Sequence, residues 1–144
     1  MTTLSAFRQL KNPEPIKPAR VELLQPTDFA DTWQHRPGAA VAVGLRRLSE
    51  AEEQDAIKEA TREATEAVNS TTEADRVDEF IRVFNESLMT VGVGRALCDP
   101  NDVRKPSAAI PMAEDLLGRA IRRGALERLW HALEAVVVET SAVY

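Results

Sequence analysis

The chain has 144 residues, enough for one domain with its own core, and its 44% apolar and 28% charged residues are an ordinary globular balance. A net charge of −5 argues against general nucleic-acid binding, which needs excess positive charge to displace phosphate counterions. A single cysteine, Cys98, excludes an internal disulfide, residues 1–10 lack the apolar core of a signal peptide, and no run reaches the roughly 20 apolar residues of a membrane span, so the expectation is a soluble cytoplasmic protein.

Aromatic residues make up only 5% of the chain: Phe7, Phe29, Trp33, Phe80, Phe84, Trp130 and Tyr144. The core must therefore be built from Leu, Val, Ile and Ala. Each Ala adds little, because a buried methylene is worth about 0.8 kcal/mol. A core this thin benefits from a partner or from a second copy of the chain.

Residues 1–38 form a Pro-rich N-terminal arm, punctuated by Pro13, Pro15, Pro18, Pro26 and Pro37, through which no long helix can run. Within it, residues 20–24 (R-V-E-L-L) suit a short extended segment, and residues 25–28 (Q-P-T-D) suit a turn or the start of a helix. Phe29 and Trp33 are expected to anchor the arm onto the helices; the competing reading is contact with a partner. Residues 39–46 alternate loosely with β-branched residues and predict a strand that pairs with 20–24.

From residue 39 to 144 the pattern is that of a helical domain. Ser49 and Glu52 have capping-box spacing and open a helix with the apolar stripe Ile57, Ala60, Ala64, Ala67 and Val68. Its other face carries Glu53, Lys58, Glu59, Arg62, Glu63 and Glu66, a solvated surface in which Arg62–Glu66 is attractive at i,i+4 and Lys58–Arg62 is not. Ser70 and Glu73 repeat the box. Val77, Phe80, Ile81, Phe84, Leu88 and Val91 then form a continuous stripe, predicting a central core helix that runs to about Leu97.

Pro100 and Pro106 bound the main loop, and Pro111 suits the first turn of the next helix, with Leu116, Leu117, Ala120 and Ile121 on its apolar face. Gly124 is expected to close that helix in a left-handed conformation. Leu126, Leu129, Trp130, Leu133, Val136 and Val137 form the last stripe. The fold class is mainly α: a compact helical domain with a Pro-rich arm and a minor β-hairpin-like element.

No residue set has the make-up of a catalytic, cofactor or metal site. Gly92 and Gly94 begin a dinucleotide glycine fingerprint but lack its third glycine and sit at a helix end, so close helix packing is the simpler role. Asp99, Asn101 and Asp102 lack the further oxygen ligands of a calcium loop and suit an Asx turn. Cys98 with His35 or His131 has no local signature of a nucleophile pair; Cys98 reads as a small buried residue and His131 as structural. Arg119, Arg122, Arg123 and Arg128 cluster near Gly124, where they suit a helix C-terminus or an acidic partner surface.

Three pieces of the chain carry a family resemblance: V-A-V-G-L-R-R-L-S-E-A-E over 41–52, R-A-L-C-D-P-N-D over 95–102, and the pair E-D-L-L-G-R-A-I and A-L-E-R-L-W-H-A-L-E within 114–134. Together, over residues 39–138, they resemble the tail assembly chaperones of long-tailed bacteriophages and related prophages. The resemblance implies a cytoplasmic helical protein without catalytic residues or cofactor, which binds the tape measure protein and keeps it soluble until tail tube subunits replace it. Such a chaperone needs apolar grooves that accept an amphipathic helix. Helices over 73–97 and 112–138 are expected to supply that groove, with Phe80, Phe84, Leu88, Trp130 and Leu133 near its floor; Arg122 and Arg123 are further expected partner-binding residues. The alternative is a structural component of a phage-like particle, a connector or tail completion protein, whose arm orders on a neighbouring subunit. A small enzyme or regulator is the third class weighed, and it lacks a convergent set of polar groups.

Overall fold

The computed structural model of the chain describes residues 14–69, 71–108, 110 and 114–141. Phe7 and Tyr144 lie outside the described residues, as do Ser70 and Pro111, which were expected to start helices. The described part is mainly helical with a small antiparallel sheet, as the periodicities predict. In chain order the elements are β1 (Arg20–Leu24), β2 (Val41–Leu45), α1 (Glu50–Val68), α2 (Arg76–Ala96), β3 (Leu97–Cys98), α3 (Glu114–Ala120) and α4 (Arg123–Ser141).

The sheet has the order β1-β2-β3 and is antiparallel throughout. Arg20 pairs with Leu45 and Leu24 with Val41, so the two strands foreseen in the sequence do form a ladder. The two-residue β3 continues directly from α2 and pairs Leu45 with Leu97. One face of the sheet is buried through Leu24, Val43 and Leu45, while Val21 and Leu23 on β1 stay about half exposed, as strict alternation along a strand requires.

Ser49 caps α1 as its spacing foretold. Its Oγ accepts from Glu52 N–H at 3.2 Å, and its own N–H donates to Glu52 Oε1 at 3.1 Å. The Arg46 guanidinium also grips Glu52, with Nη2 at 2.5 Å and Nη1 at 2.9 Å, and this holds the Glu52 carboxyl down at about 2. The end of β2 and the start of α1 are thereby locked together. Ala56, Ala60 and Ala64 form the buried seam of α1, packed along α2. Ile57, expected in that seam, is 41% exposed. It lies one residue, about 100°, around the helix from Ala56.

The long stripe on α2 divides in two. Its C-terminal half supplies the buried Ser87, Met89, Val91, Gly92, Val93, Gly94 and Ala96. Its N-terminal half projects beyond the core with α1 as a helical hairpin: Val77 is 69% exposed and Ile81 51%. Half-buried Phe80 and Phe84 stack there with ring centroids 6.1 Å apart. Only residues 87–96 of the expected core helix are therefore core. The reason is tertiary: the buried cluster formed with the sheet, α3 and α4 takes in Met89, Val93 and Ala96 and nothing N-terminal to them on α2.

The core joins Leu24, Phe29, Val43 and Leu45 to Met89, Val93 and Ala96 of α2, Leu117 and Ala120 of α3, and Ala125, Leu126, Leu129 and Leu133 of α4. Leu24 and Phe29 tie the arm into it. Phe29 is fully buried, Trp33 packs partly against the core, and Phe29 forms a β-bridge with Ile121 between α3 and α4. Ala30 N–H donates to the Ala120 carbonyl at 2.8 Å, and Arg122 N–H to the Asp28 carbonyl at 2.8 Å.

Gly124 does not close a helix. It sits in the first turn of α4, and no described glycine has a positive φ. The break falls earlier, at Ile121 and Arg122, where the backbone bonds to the arm. Arg122 and Arg123 consequently stand at a helix N-terminus, where the macrodipole disfavours cations. Carboxylates offset this. Arg122 pairs with Asp31 at 2.9 Å, Arg123 with Glu86 at 2.8 Å and Glu127 at 3.1 Å, and Arg128 forks onto Asp28 at 2.9 and 3.1 Å.

Candidate partner-binding groove

α2 packs along both α1 and α4, whereas α1 and α4 make no comparable contact. The gap between them is an apolar groove of 190 Å³. Leu48, Ala56 and Ile57 line it from the α1 side, Leu88 and Gly92 from α2, and Trp130, Leu133 and Val137 from α4. Leu88 and Gly92 are four residues apart, and Trp130, Leu133 and Val137 three and four apart, so stripes of α2 and α4 converge with Ala56 and Ile57 of α1 on one trough. The volume is below the range of about 300–1,000 Å³ typical of small-molecule sites. It suits one or two large apolar side chains offered by a docking helix.

Gly92 creates the space. A Cβ at that position would lie 2.7 Å from Trp130 Cζ3, so the indole rests directly on the α2 backbone. Close packing, not phosphate binding, is what this glycine does. Trp130, Leu88 and Val137 are half-buried and Leu133 is buried, so the trough has a solid floor and partly open walls.

Of the side chains expected to form a groove, the structure brings together Leu88, Trp130 and Leu133. Phe80 and Phe84 lie farther out on the hairpin. There Phe80, Val68, Val77 and Ile81 line a second, shallow hollow of 270 Å³ with Arg76 at its edge. Arg122 is engaged in tying the arm down, through the Phe29 carbonyl at 3.2 Å and Asp31. Arg123 lies in a hollow on the far side of Trp130, with Arg82, Glu86 and Glu127. Sequence periodicity missed the contribution of α1. Ile57 belongs to the groove because it does not face the α1 seam, and the signal for it was a large apolar residue flanked by Glu53 and Lys58.

A polar hollow of 480 Å³ between α1, α2 and Gly118 is lined by Glu59, Glu63 and Glu86 around the buried Ser87. Glu59 already bonds Arg62, and Glu86 bonds Arg82 and Arg123.

The other candidates resolve as local structure. Asp99 Oδ1 accepts from Asn101 N–H at 2.8 Å, an Asx turn, and Asp102 accepts from the backbone and side chain of Arg104 at 3.0 Å. Those bonds hold the Asp102 carboxyl at about 2. Among the described residues, no group of three or more His, Cys, Asp or Glu is arranged to hold a metal ion. Cys98 is buried, and burial pushes its thiol up, away from nucleophilic thiolate. His131 is not the packed residue expected: its side chain is 77% exposed, 3.5 Å from Glu134. His35 lies edge-on to Trp33 at 5.6 Å. No described helix is long and apolar enough to cross a membrane.

Compared with known protein families, with curated proteins and with solved structures, the chain matches none.

Proposed function

We propose that this protein is an interaction module of the tail assembly chaperone type, which holds an amphipathic helix of a phage tape measure protein in the groove between α1, α2 and α4 and keeps that partner soluble. The observation that carries this reading is the groove itself: an open, apolar, three-helix trough of side-chain dimensions, floored by Gly92 and walled by Trp130. Helix-in-groove recognition works through such anchors at i, i+3 and i+4 spacing. The resemblance of residues 39–138 to the chaperone family supplies the partner. The test is co-expression with a phage tape measure protein from the genome that encodes this chain, followed by pull-down and sizing. A soluble complex, with the partner insoluble alone, is the expected result; an insoluble partner despite co-expression overturns it.

A second reading, a connector or tail completion component of a phage-like particle, is favoured by a different surface. Ile16, Val21 and Leu23, near or on the outer sheet face, are 51–56% exposed, a patch suited to a neighbouring subunit or a second copy. Recovery of the protein in purified particles distinguishes it, since a chaperone leaves before completion.

A further inference from the structure

The groove is apolar along its floor, but its rims carry charge of one sign. The ionisable side chains among its described lining residues are Glu53, on the α1 rim, and Glu134, on the α4 rim. No Lys or Arg is among them. The hollow on the far side of the Leu88–Trp130 ridge differs. There Arg82 and Arg123 stand with Glu86 and Glu127, and Arg82–Glu86, Arg123–Glu86 and Arg123–Glu127 are paired at 2.8–3.2 Å. Charge is balanced on that side; on the groove side no Lys or Arg lines the trough, and Glu134 has His131 3.5 Å away. α1 continues the acidic trend with Glu50, Glu52 and Glu53 in its first turn, of which Glu52 is taken up by Arg46.

We infer that the groove selects an amphipathic helix whose apolar stripe is bordered on both sides by Lys or Arg, so that its cations meet Glu53 on one rim and Glu134 on the other. This deepens the chaperone reading and rests on it: the groove binds a helix, and its rims choose which helix. Acidic rims attract a basic-bordered helix and repel an acidic one, since like charges brought together at an interface are penalised.

The test uses the full chain and two labelled synthetic peptides of about 18 residues, long enough to form a helix on the surface. Both carry the same Leu stripe; one has Lys borders and the other Glu borders. Binding is followed by fluorescence anisotropy at low and high salt. The expected result is a preference for the Lys-bordered peptide of about tenfold or more at low salt, shrinking as salt screens the rims. The double variant Glu53→Lys/Glu134→Lys is expected to reverse the preference while Ile57→Arg weakens both peptides. Equal binding of the two peptides, with no response to the double variant, overturns the charge selection and leaves the groove reading standing. Binding of neither peptide, or binding indifferent to Ile57→Arg, overturns both.

Discussion

Gly92 and Trp130 meet across the α2–α4 contact so closely that a Cβ on Gly92 would stand 2.7 Å from Trp130 Cζ3. A helix-interior glycine gives up about 1 kcal/mol of propensity relative to alanine. Here that cost obtains an indole resting on bare backbone and a trough beside it. In Gly92→Ala the propensity gain opposes the clash, so its stability change is small. In Gly92→Val overpacking dominates, with an expected loss of about 1–3 kcal/mol. Both variants displace the Trp130 ring. Denaturant unfolding measures the first effect, and a shift in tryptophan emission, read in a Trp33→Phe background, measures the second.

Ile57 and Leu133 line the same groove but differ in exposure, 41% against 4%. Substituting Ile57 with Arg is expected to abolish partner capture while helical circular dichroism and unfolding midpoint stay within about 0.5 kcal/mol of the parent. Leu133→Ala removes a core side chain and costs about 2–5 kcal/mol. Loss of fold in the Ile57 variant assigns that residue to the core and removes it from the groove.

Phe29 is 0% exposed and bridges to Ile121. Phe29→Ala is expected to cost about 3–5 kcal/mol in denaturant unfolding, the scale of a buried aromatic deleted from a packed core. A loss below about 1 kcal/mol refutes the placement of the arm within the core.

Glu52 titrates in a window set by Arg46 and Ser49. Its carboxyl falls from 4.5 to about 2 in the folded chain, so the folded state favours the ionised form. Its contribution is complete above pH 4.5 and is lost as pH falls toward 2. Glu52→Gln therefore lowers the unfolding temperature most above pH 4.5, and the gap to the parent narrows on acidification. Thermal unfolding across that range checks the slope; a gap independent of pH contradicts the Arg46–Glu52 lock.

Cys98, buried in β3 opposite Gly44 of β2, has its thiol raised by desolvation. A thiol reagent is expected to label it only after denaturant opens the fold. Rapid labelling of the native protein refutes that burial.

Local chemistry was legible without any structure. The Ser49–Glu52 box, the pairing of residues 20–24 with 39–46, the Asx turn at Asp99 and the close packing at Gly92 all depend on residues near one another or on one-residue sterics. The misreadings share a cause. Gly124 looks like a helix stop, but the backbone of Asp28 and Ala30, more than 90 positions away, places the break at Ile121 and Arg122. His131 has apolar neighbours in sequence yet turns outward, because the α4 face that meets the core is set by Leu126, Leu129 and Leu133.

Sequence by itself determined that the chain is mainly helical, that Ser49 caps α1 and which residues are apolar at helical spacing, because these follow from backbone hydrogen bonding and side-chain period. Tertiary structure alone decided which half of the α2 stripe is core, that Ile57 faces outward, and that Leu88, Trp130 and Leu133 meet α1 across a groove with two acidic rims. A period of 3.6 residues fixes which side chains share a face; it carries no information about which neighbouring helix covers that face and which stretch of it no helix reaches.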